Sequence, residues 1–399
     1  MTGFPSRSAF VSLFAASCVL FGANAARAQN TPGVTDKTIK IGLFAPLTGA
    51  LSFWGYPVLN GTTMIYKEAN AKGGIHGRTI EFVMEDDACD PAKAVAAAKK
   101  LIHRDQVFMI NAGVCSGALM AARDEITTSK VPLMVLVASL DAITAPVSPY
   151  VFTVAPTGVH DGKTMGQFAA TIPNVKTVAF IGHSDEWAKT KAEAFRVIAA
   201  NRKITIVGEE IVDRRVTDTT AQILAIKRRN PDVVALFTYP GETATVLRDA
   251  HKYGLKTKFV GNNALIDLPA LIERAGSVEA VQDVYVLSSI SGPVGSKSLE
   301  PYEALLKRHY PEDKPKAEAF WGTASAMVVV EALRRAGRDL TREKFLKALE
   351  EMKDFDISGI APCKVAFSST NHQGCEDQVA WKVVNGKAEA IGPRWRQTP

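Results

Sequence analysis

Two stretches of this sequence indicate its fold most directly: DDACDP at residues 86–91 and GVCSG at residues 113–117. Each places a cysteine just past an apolar run that predicts a buried parallel strand. In an open α/β sheet, ligands bind in the crevice outside the carboxyl ends of the strands. The two stretches are therefore expected to form one wall of a binding site.

Strands and helices alternate around these stretches with short connections. The predicted strands are continuous apolar runs, which is typical of a parallel sheet covered by helices on both faces. The alternation predicts a doubly wound α/β domain. Its strands are expected at residues 39–43, 80–84, 107–110 and 133–137, and its helices at 57–73, 92–103 and 119–128.

The alternation restarts after a break at residues 156–158 and predicts a second, similar unit, with helices at 189–200, 221–229 and 242–253 and strands at 177–181, 204–209, 233–237 and 259–260. From residue 284 a strand leads into three helices and a β-like tail with strands at 364–367 and 379–384, so we expect the chain to return to the first lobe and then cross again. Several crossovers between two lobes make a hinge. The sequence thus predicts an α/β fold of two doubly wound, Rossmann-like lobes joined by a multi-strand hinge, with lobe 1 at 38–156 plus 288–354 and lobe 2 at 157–287 plus 355–395.

Composition fits a globular protein of two domains. The chain has 399 residues, of which 47% are hydrophobic and 22% charged, and its net charge of +6 is mild and scattered. Basic runs such as residues 227–229 fall at predicted helix ends, where cations complement the helix dipole. A nucleic-acid partner is therefore not expected.

The N-terminus reads as a signal peptide over residues 1–28. Arg7 supplies a basic region, residues 9–21 are mostly apolar, and the run ending at Ala28 fits a cleavage site for export to the periplasm. A lipoprotein signal anchored at Cys18 is the alternative. No later apolar run approaches the ~20 residues that a membrane span needs.

Four cysteines follow the predicted signal: Cys89, Cys115, Cys363 and Cys375. An even number in an oxidising compartment predicts two disulfides, although the sequence allows three pairings. The alternative is an exported hydrolase, because GVCSG mimics a nucleophile elbow with Cys115 in the nucleophile position. The candidate bases for such an enzyme are His160, His183, His251, His309 and His372.

Motifs for metal ions and cofactors are weak. Asp86, Asp87 and Asp90 form an acidic cluster, but they lack the spacing of a calcium loop and are better explained as one helix cap and two strand-end carboxylates. No zinc spacing, phosphate loop or dinucleotide fingerprint occurs in a suitable context. We therefore predict no metal ion and no cofactor.

Aromatic and hydroxyl residues recur just after the predicted strands of both units. An isolated aromatic residue near a turn more often serves packing, but a shared location at strand ends favours a ligand cleft. The residues at these positions are Phe53, Trp54, Tyr56, Ser116, Ala138 and Ser139 in the first unit, and Trp187, Tyr239, Asn262 and Asn263 in the second.

The sequence resembles the leucine/isoleucine/valine-binding protein family, the periplasmic receptors of branched-chain amino-acid ABC transporters. The likeness covers nearly all of residues 38–395. The DDACDP stretch and the cysteine that precedes Ser116 are its most specific parts. Weaker matches lie at residues 39–42, 46–49, 70–75 and 253–257.

This resemblance implies a type I periplasmic binding fold and a monomeric, non-enzymatic receptor that closes on a small carboxylate and docks onto permease subunits. Cys89 and Cys115 correspond to the family's first-lobe disulfide. By the same resemblance, Trp54 covers the ligand side chain, Ser116, Ser139 and the backbone at Ala138 hold its carboxylate, and Trp187 and Tyr239 are second-lobe aromatics.

One position departs from the family's pattern. Asn263 stands where amino-acid receptors place an acidic residue against the ligand's ammonium group, and an amide cannot compensate a buried cation. The ligand is therefore expected to lack an ammonium group unless Asp185 or Glu186 supplies the charge. The pair Cys363 and Cys375 is also not expected of the family, and a sensory receptor uncoupled from transport is a further alternative.

Overall fold

A computed structural model describes Met1, Gly3 and residues 31–395, apart from Ala50 and Ser358. The predicted cleavage site after Ala28 and the alternative anchor Cys18 lie outside the described residues. No helix in the described part of the chain is both long enough and apolar enough to span a bilayer.

The first sheet has five parallel strands in the order β2-β1-β3-β4-β5. Its inner strand β1 carries fully buried Ile39, Ile41 and Leu43, as expected of a strand covered on both faces. The strand order reverses between β1 and β3, which leaves a crevice at their carboxyl ends. The elements are β1 (Thr38–Ala45), α1 (Ser52–Ala71), β2 (Thr79–Asp86), α2 (Pro91–Lys99), β3 (Met109–Ala112), α3 (Ser116–Thr128), β4 (Leu133–Val135) and β5 (Val151–Thr153).

The second sheet has seven strands in the order β12-β11-β10-β9-β8-β6-β7. Strands β6 to β10 run parallel, β11 and β12 pair antiparallel at one edge, and the order reverses between β6 and β8. A second crevice follows from this reversal. The elements are α4 (Gly158–Ala169), β6 (Thr177–Gly182), α5 (Glu186–Asn201), β7 (Thr205–Ile211), α6 (Thr220–Arg229), β8 (Val233–Phe237), α7 (Pro240–Lys252), β9 (Lys258–Gly261), α8 (Leu268–Ala275), β10 (Val284–Ser288), β11 (Gln378–Val384) and β12 (Lys387–Trp395).

Three helices between β10 and β11 are α9 (Glu300–His309), α10 (Ala319–Ala336) and α11 (Arg342–Glu350). Helix α10 returns to the first lobe and packs along α1, with glycine at the closest points. A Cβ on Gly61 would lie 1.8 Å from the carbonyl oxygen of Ala319, and one on Gly322 would lie 1.9 Å from that of Val58. The two backbones therefore approach to a distance that only glycine allows.

Several elements differ from the sequence prediction. Helix α1 begins at Ser52, so Pro57 lies inside the helix and not at its first position. Helices α4 and α8 and strand β12 were not predicted, and residues 364–367 form no strand but only a bridge from Val365 to Phe355. Helix α4 escaped prediction because its glycines suppress helix propensity. Here they serve packing, since a Cβ on Gly162 would lie 2.1 Å from the carbonyl oxygen of Lys191 in α5.

The division into lobes at residues 156, 287 and 354 stays a prediction, and contacts of residues 355–377 bear on its last boundary. Phe367 packs edge-on against Phe152 of β5, with ring centres 5.3 Å apart. The backbone N–H groups of Gly374 and Cys375 donate to the carbonyls of Thr153 and Val154. These contacts favour a final crossing into the second lobe near residue 378.

We expect Gly322→Ala to destabilise the protein, because the new methyl group would force α1 and α10 apart. Overpacking of this kind costs about 1–3 kcal/mol. Urea unfolding would show the loss as a lower midpoint at an unchanged slope. Gly241→Ala is the matched control, since a Cβ at that helical glycine would meet no atom within 4 Å. An equal midpoint for Gly322→Ala and the wild type would contradict the proposed role of the glycine contact.

Candidate functional site

The site lies where residues that follow strands of both sheets meet. Ser116 follows β3 and Ser139 follows β4, while Trp187 follows β6 and Tyr239 follows β8. All four line one small enclosed space of about 30 Å³, here called the inner chamber. Its lining residues are Trp54, Val114, Ser116, Val137, Ser139, Pro156, Asp161, Trp187, Lys191, Tyr239, Asn263, Ala264 and Trp321.

A larger cavity of about 1190 Å³, here called the outer cleft, shares Ser116, Trp187 and Tyr239 with the inner chamber. Leu51, Phe53, Cys89, Cys115 and Leu140 line its first-lobe wall. Asp185, Glu186, Arg214, Arg215, Glu242 and Arg274 line the opposite wall. The inner chamber thus has room for roughly one water molecule, and the outer cleft has room for the body of a small organic molecule.

Ser116 is the first residue of α3, and its hydroxyl lies at the start of that helix. The oxygen accepts a hydrogen bond from the backbone N–H of Ser139 at 3.0 Å, which leaves the hydroxyl proton available as a donor. The first N–H groups of a helix lack intrahelical acceptors, and the helix dipole favours negative charge there. This corner of the chamber therefore suits a carboxylate. The backbone N–H of Ala138 is not available to a ligand, because it donates to the carbonyl of Gly113.

A disulfide joins Cys89 to Cys115 and fixes the loop that carries Ser116, with Cα atoms 5.5 Å apart. A second disulfide joins Cys363 to Cys375. The predicted pairing of all four cysteines is therefore present in the structure. Because the thiolate is the nucleophilic form of cysteine, Cys115 in this state offers no nucleophile for hydrolysis.

The candidate bases have other partners. His183 Nδ1 lies 3.0 Å from the carbonyl oxygen of Val212, and His372 stacks on Phe152 with ring centres 3.8 Å apart. Burial lowers the pKa of both His160 and His183, so the neutral ring is favoured. His183 and His372 therefore have contacts within the fold that account for their burial.

Aromatic rings from both lobes meet at the inner chamber. Trp54 of the first lobe lies edge-on to Tyr239 of the second lobe, with centres 5.0 Å apart, and Trp187 lies 4.4 Å from the same tyrosine. Trp321 of α10 completes the group, 6.2 Å from Trp54. Sequence reasoning missed Trp321, because it lies inside a helix and not after a strand. The rings give the chamber an apolar wall.

Lys191 and Asp161 form a buried ion pair that sequence reasoning also missed. Lys191 Nζ lies 3.3 Å from Asp161 Oδ2, and both side chains are only 2% exposed. The same Nζ lies 3.3 Å from Ser139 Oγ and 4.6 Å from the centre of the Trp187 ring. Lys191 therefore reaches from the second lobe to a hydroxyl of the first.

Asn263 lines the chamber, but its side-chain oxygen faces Ser289. It accepts hydrogen bonds from the backbone N–H of Ser289 at 2.8 Å and from its hydroxyl at 3.2 Å. Of the two acids considered as substitutes, Asp185 caps α5 and pairs with Arg214. Glu186 lines the outer cleft, away from the inner chamber.

The acidic cluster after β2 serves local structure. Asp90 caps α2 by accepting from the N–H of Lys93 at 2.9 Å, which confirms the predicted cap. Asp86 accepts from the N–H groups of Leu47 and Ala88. Burial raises the pKa of Asp87 to about 6. No group of acidic, histidine and cysteine side chains suited to a metal ion occurs within the part of the chain that the structure describes.

Glu318 lies beneath Trp54 and accepts a hydrogen bond from its indole N–H at 3.1 Å. Its other oxygen is buried and has no hydrogen-bond partner among the described residues. Burial, aided by the nearby negative charge of Asp267, raises the pKa of Glu318 to about 7. The neutral acid is therefore favoured below neutral pH.

We expect Glu318→Gln to remove part of the pH dependence of stability. The folded protein holds the Glu318 proton up to about pH 7, whereas the unfolded chain releases it near its ordinary pKa of 4.5. The wild type therefore loses stability as the pH rises through this window. The melting temperature of Glu318→Gln relative to wild type should rise between pH 4.5 and 8. Glu331→Gln, in the helix α10 that begins after Glu318, is the control, and parallel curves for Glu318→Gln and wild type would contradict the expectation.

The sequence profile of the periplasmic binding protein family matches residues 38–387. Among curated proteins, the leucine-, isoleucine-, valine-, threonine- and alanine-binding protein of Pseudomonas aeruginosa is 28% identical over 242 residues, which are 61% of this chain and 65% of that relative. The leucine-specific-binding protein of Salmonella typhimurium is 24% identical over 82% of this chain and 85% of its own length.

Solved structures of substrate-binding proteins of ABC transporters also resemble this chain. The branched-chain amino acid transporter substrate-binding protein of Streptococcus pneumoniae, solved with isoleucine, gives a TM-score of 0.78 at 25% identity and covers 90% of this chain and 100% of its own. A solute-binding protein of an ABC transporter from Rhodopseudomonas palustris, solved with 3,4-dihydroxybenzoic acid, shares the fold with a TM-score of 0.78 at 23% identity, over 91% and 98% of the two chains. Since the family profile spans most of the sequence, this chain belongs to the periplasmic binding protein family.

Proposed function

We propose that the protein is a periplasmic solute receptor of an ABC importer, which closes on a small carboxylate and delivers it to permease subunits. The ligand is an amino acid or an aliphatic or aromatic carboxylic acid. The observation that carries the proposal is the inner chamber, where the Ser116 hydroxyl at the start of α3 faces aromatic rings from both lobes. Relatives named as amino-acid-binding proteins support it.

The chemistry of the chamber matches this ligand class. A carboxylate at Ser116 would accept hydrogen bonds from the Ser116 hydroxyl and from the first N–H groups of α3, and hydrogen bonds to a charged group are stronger than those between neutral groups. Ser139 lies beside it through the hydrogen bond to Ser116. The apolar body of the ligand would lie along Trp187 and Tyr239, which continue into the outer cleft.

Binding would be coupled to movement of the lobes. Trp54 contacts Tyr239, and Lys191 contacts Ser139, so the inner chamber is closed between the lobes in this structure. A ligand can enter the inner chamber only when these contacts part. A ligand that binds more tightly to the form closed around it than to the open form would shift the population of the protein toward the closed form. This shift would change the surface that the protein presents to a partner.

The receptor acts without catalysis, as a monomer, after removal of a signal peptide at Ala28. The disulfide at Cys115 and the binding proteins among the relatives favour this over an exported hydrolase. A single chain supplies both walls of the site, so a second copy is not needed. A sensory receptor that is not coupled to transport would use the same cleft, and a pull-down with permease subunits would separate the two.

A ligand panel tests the proposal. We expect a thermal shift with at least one member of a set containing leucine, isoleucine, valine, phenylalanine, 4-methylpentanoate, 3-phenylpropionate and 4-hydroxybenzoate. A ligand that binds only the folded state stabilises it by mass action, so the melting temperature rises with ligand concentration. The corresponding primary amines and alcohols serve as controls without a carboxylate. A melting temperature unchanged by the whole panel would count against the proposal.

Ser116→Ala should weaken the best ligand of that panel. Loss of one hydrogen bond to a charged group costs about 1.5–3 kcal/mol, or roughly 10- to 100-fold in Kd. Calorimetric titration of wild type and variant measures the change. Ser129→Ala is the control, because Ser129 lies at the other end of α3. Equal affinities for Ser116→Ala and wild type would show that the carboxylate does not bind there.

A further inference from the structure

The ion pair between Lys191 and Asp161 has a place in the cleft that its stability alone does not explain. Replacing a buried ion pair with apolar residues is often neutral or stabilising, so such a pair is weak evidence of a structural need. This one lines the inner chamber itself. Among the described residues that line the chamber, Lys191 and Asp161 carry the only formal charges.

The negative member of the pair is fully engaged within the second lobe. Asp161 Oδ1 accepts from the side-chain amide of Gln378 at 3.0 Å, and Oδ2 accepts from the backbone N–H of Asn263 at 3.3 Å. Lys191 adds a cation at 3.3 Å. An ammonium group that approached Asp161 would lie beside the Lys191 cation. Two buried positive charges side by side are unfavourable.

Lys191, the positive member, has one hydrogen-bond donor left for a ligand. An ammonium has three N–H donors, and those of Lys191 reach Asp161 and Ser139, which leaves one for a ligand. Ser139 in turn donates its backbone N–H to Ser116. Lys191 is thus connected through Ser139 to the Ser116 hydroxyl, where the proposed function places the ligand's carboxylate.

Close packing of α4 on α5 holds the pair in position. Gly162 follows Asp161, and the missing side chain lets its Cα approach the carbonyl of Lys191. Lys191 Nζ lies over the Trp187 ring, 4.6 Å from its centre, so the charged end rests against the aromatic wall. The geometry therefore fixes the cation and does not leave it to a flexible surface chain.

We propose that Lys191 binds the ligand's carboxylate and, by occupying Asp161, makes the site select carboxylates without an ammonium group over α-amino acids. This inference rests on the proposed receptor function and narrows its ligand class. The rest of the ligand extends past Trp187 and Tyr239 toward the outer cleft. Lys191 is a specificity-determining residue, and Asp161 is a positioning residue.

Two matched ligand pairs test the inference: 3-phenylpropionate against L-phenylalanine, and 4-methylpentanoate against L-leucine. Members of a pair differ in the α-ammonium group alone. The wild type should bind the ammonium-free member at least tenfold more tightly in calorimetric titration. Lys191→Met should weaken that member by about 10- to 100-fold, as expected for a lost charged hydrogen bond. It should also shift the ratio within each pair toward the amino acid, because Asp161 is then left without its cation.

Further variants separate specificity from folding. Lys191→Arg keeps the charge and should keep the preference. Asp161→Asn keeps the hydrogen bond from Gln378 and should retain the preference for the ammonium-free acid, even if Lys191→Met fails to fold. Lys189→Met, at an exposed position of α5, should change neither ratio nor affinity.

Three results would overturn the inference. The first is tighter binding of the amino acids by the wild type. The second is a Lys191→Met variant that lowers the melting temperature but leaves the ratios within the pairs unchanged. The third is a preference that Asp161→Asn abolishes and Lys191→Met preserves. Absence of binding by all four ligands and by the wider panel would instead overturn the proposed function together with the inference.

Discussion

The reversal of strand order in each sheet is the constraint on which this structure depends. In a parallel sheet all strands end at the same edge, and where the order reverses the helices leave that edge in opposite directions. The first sheet reverses between β1 and β3, and the second between β6 and β8. The segments that follow these strands carry Ser116, Trp187 and Tyr239. Neither half of the site could exist without this gap between helices.

The sequence predicted the sheets well and the helices less well. Parallel strands such as β8 are unbroken apolar runs, and its predicted bounds agree with the structure. Helix α4 was missed because glycine recurs at 158, 162 and 166, where local propensity opposes the helix and contact with α5 stabilises it. Its stability comes from tertiary packing, which no local pattern records.

Only part of the candidate site was predicted, because the sequence patterns used to find it are also local and do not record tertiary packing. Residues after strands could be found from their positions, and the resemblance to a family placed Ser116, Trp187 and Tyr239. Lys191 could not be found in that way, because it shares its helix with another lysine and an arginine and therefore looks like part of a solvated face. Its burial depends on Asp161, thirty positions earlier, and on the glycine that follows Asp161. The alternation of strands therefore predicts where a ligand binds, whereas the charge inside the site comes from helix packing.

The disulfide between Cys363 and Cys375 has a mechanical consequence. The segment that it closes lies along β5, where the backbone N–H of Cys375 donates a hydrogen bond to the carbonyl of Val154. Just beyond this bond, both segments of the chain continue toward the second lobe. Two predicted connections between the lobes are thus anchored side by side on the first sheet. Along these two connections, any rotation between the lobes would have to take place in the bonds beyond that anchor, near residues 155–157 and 376–377.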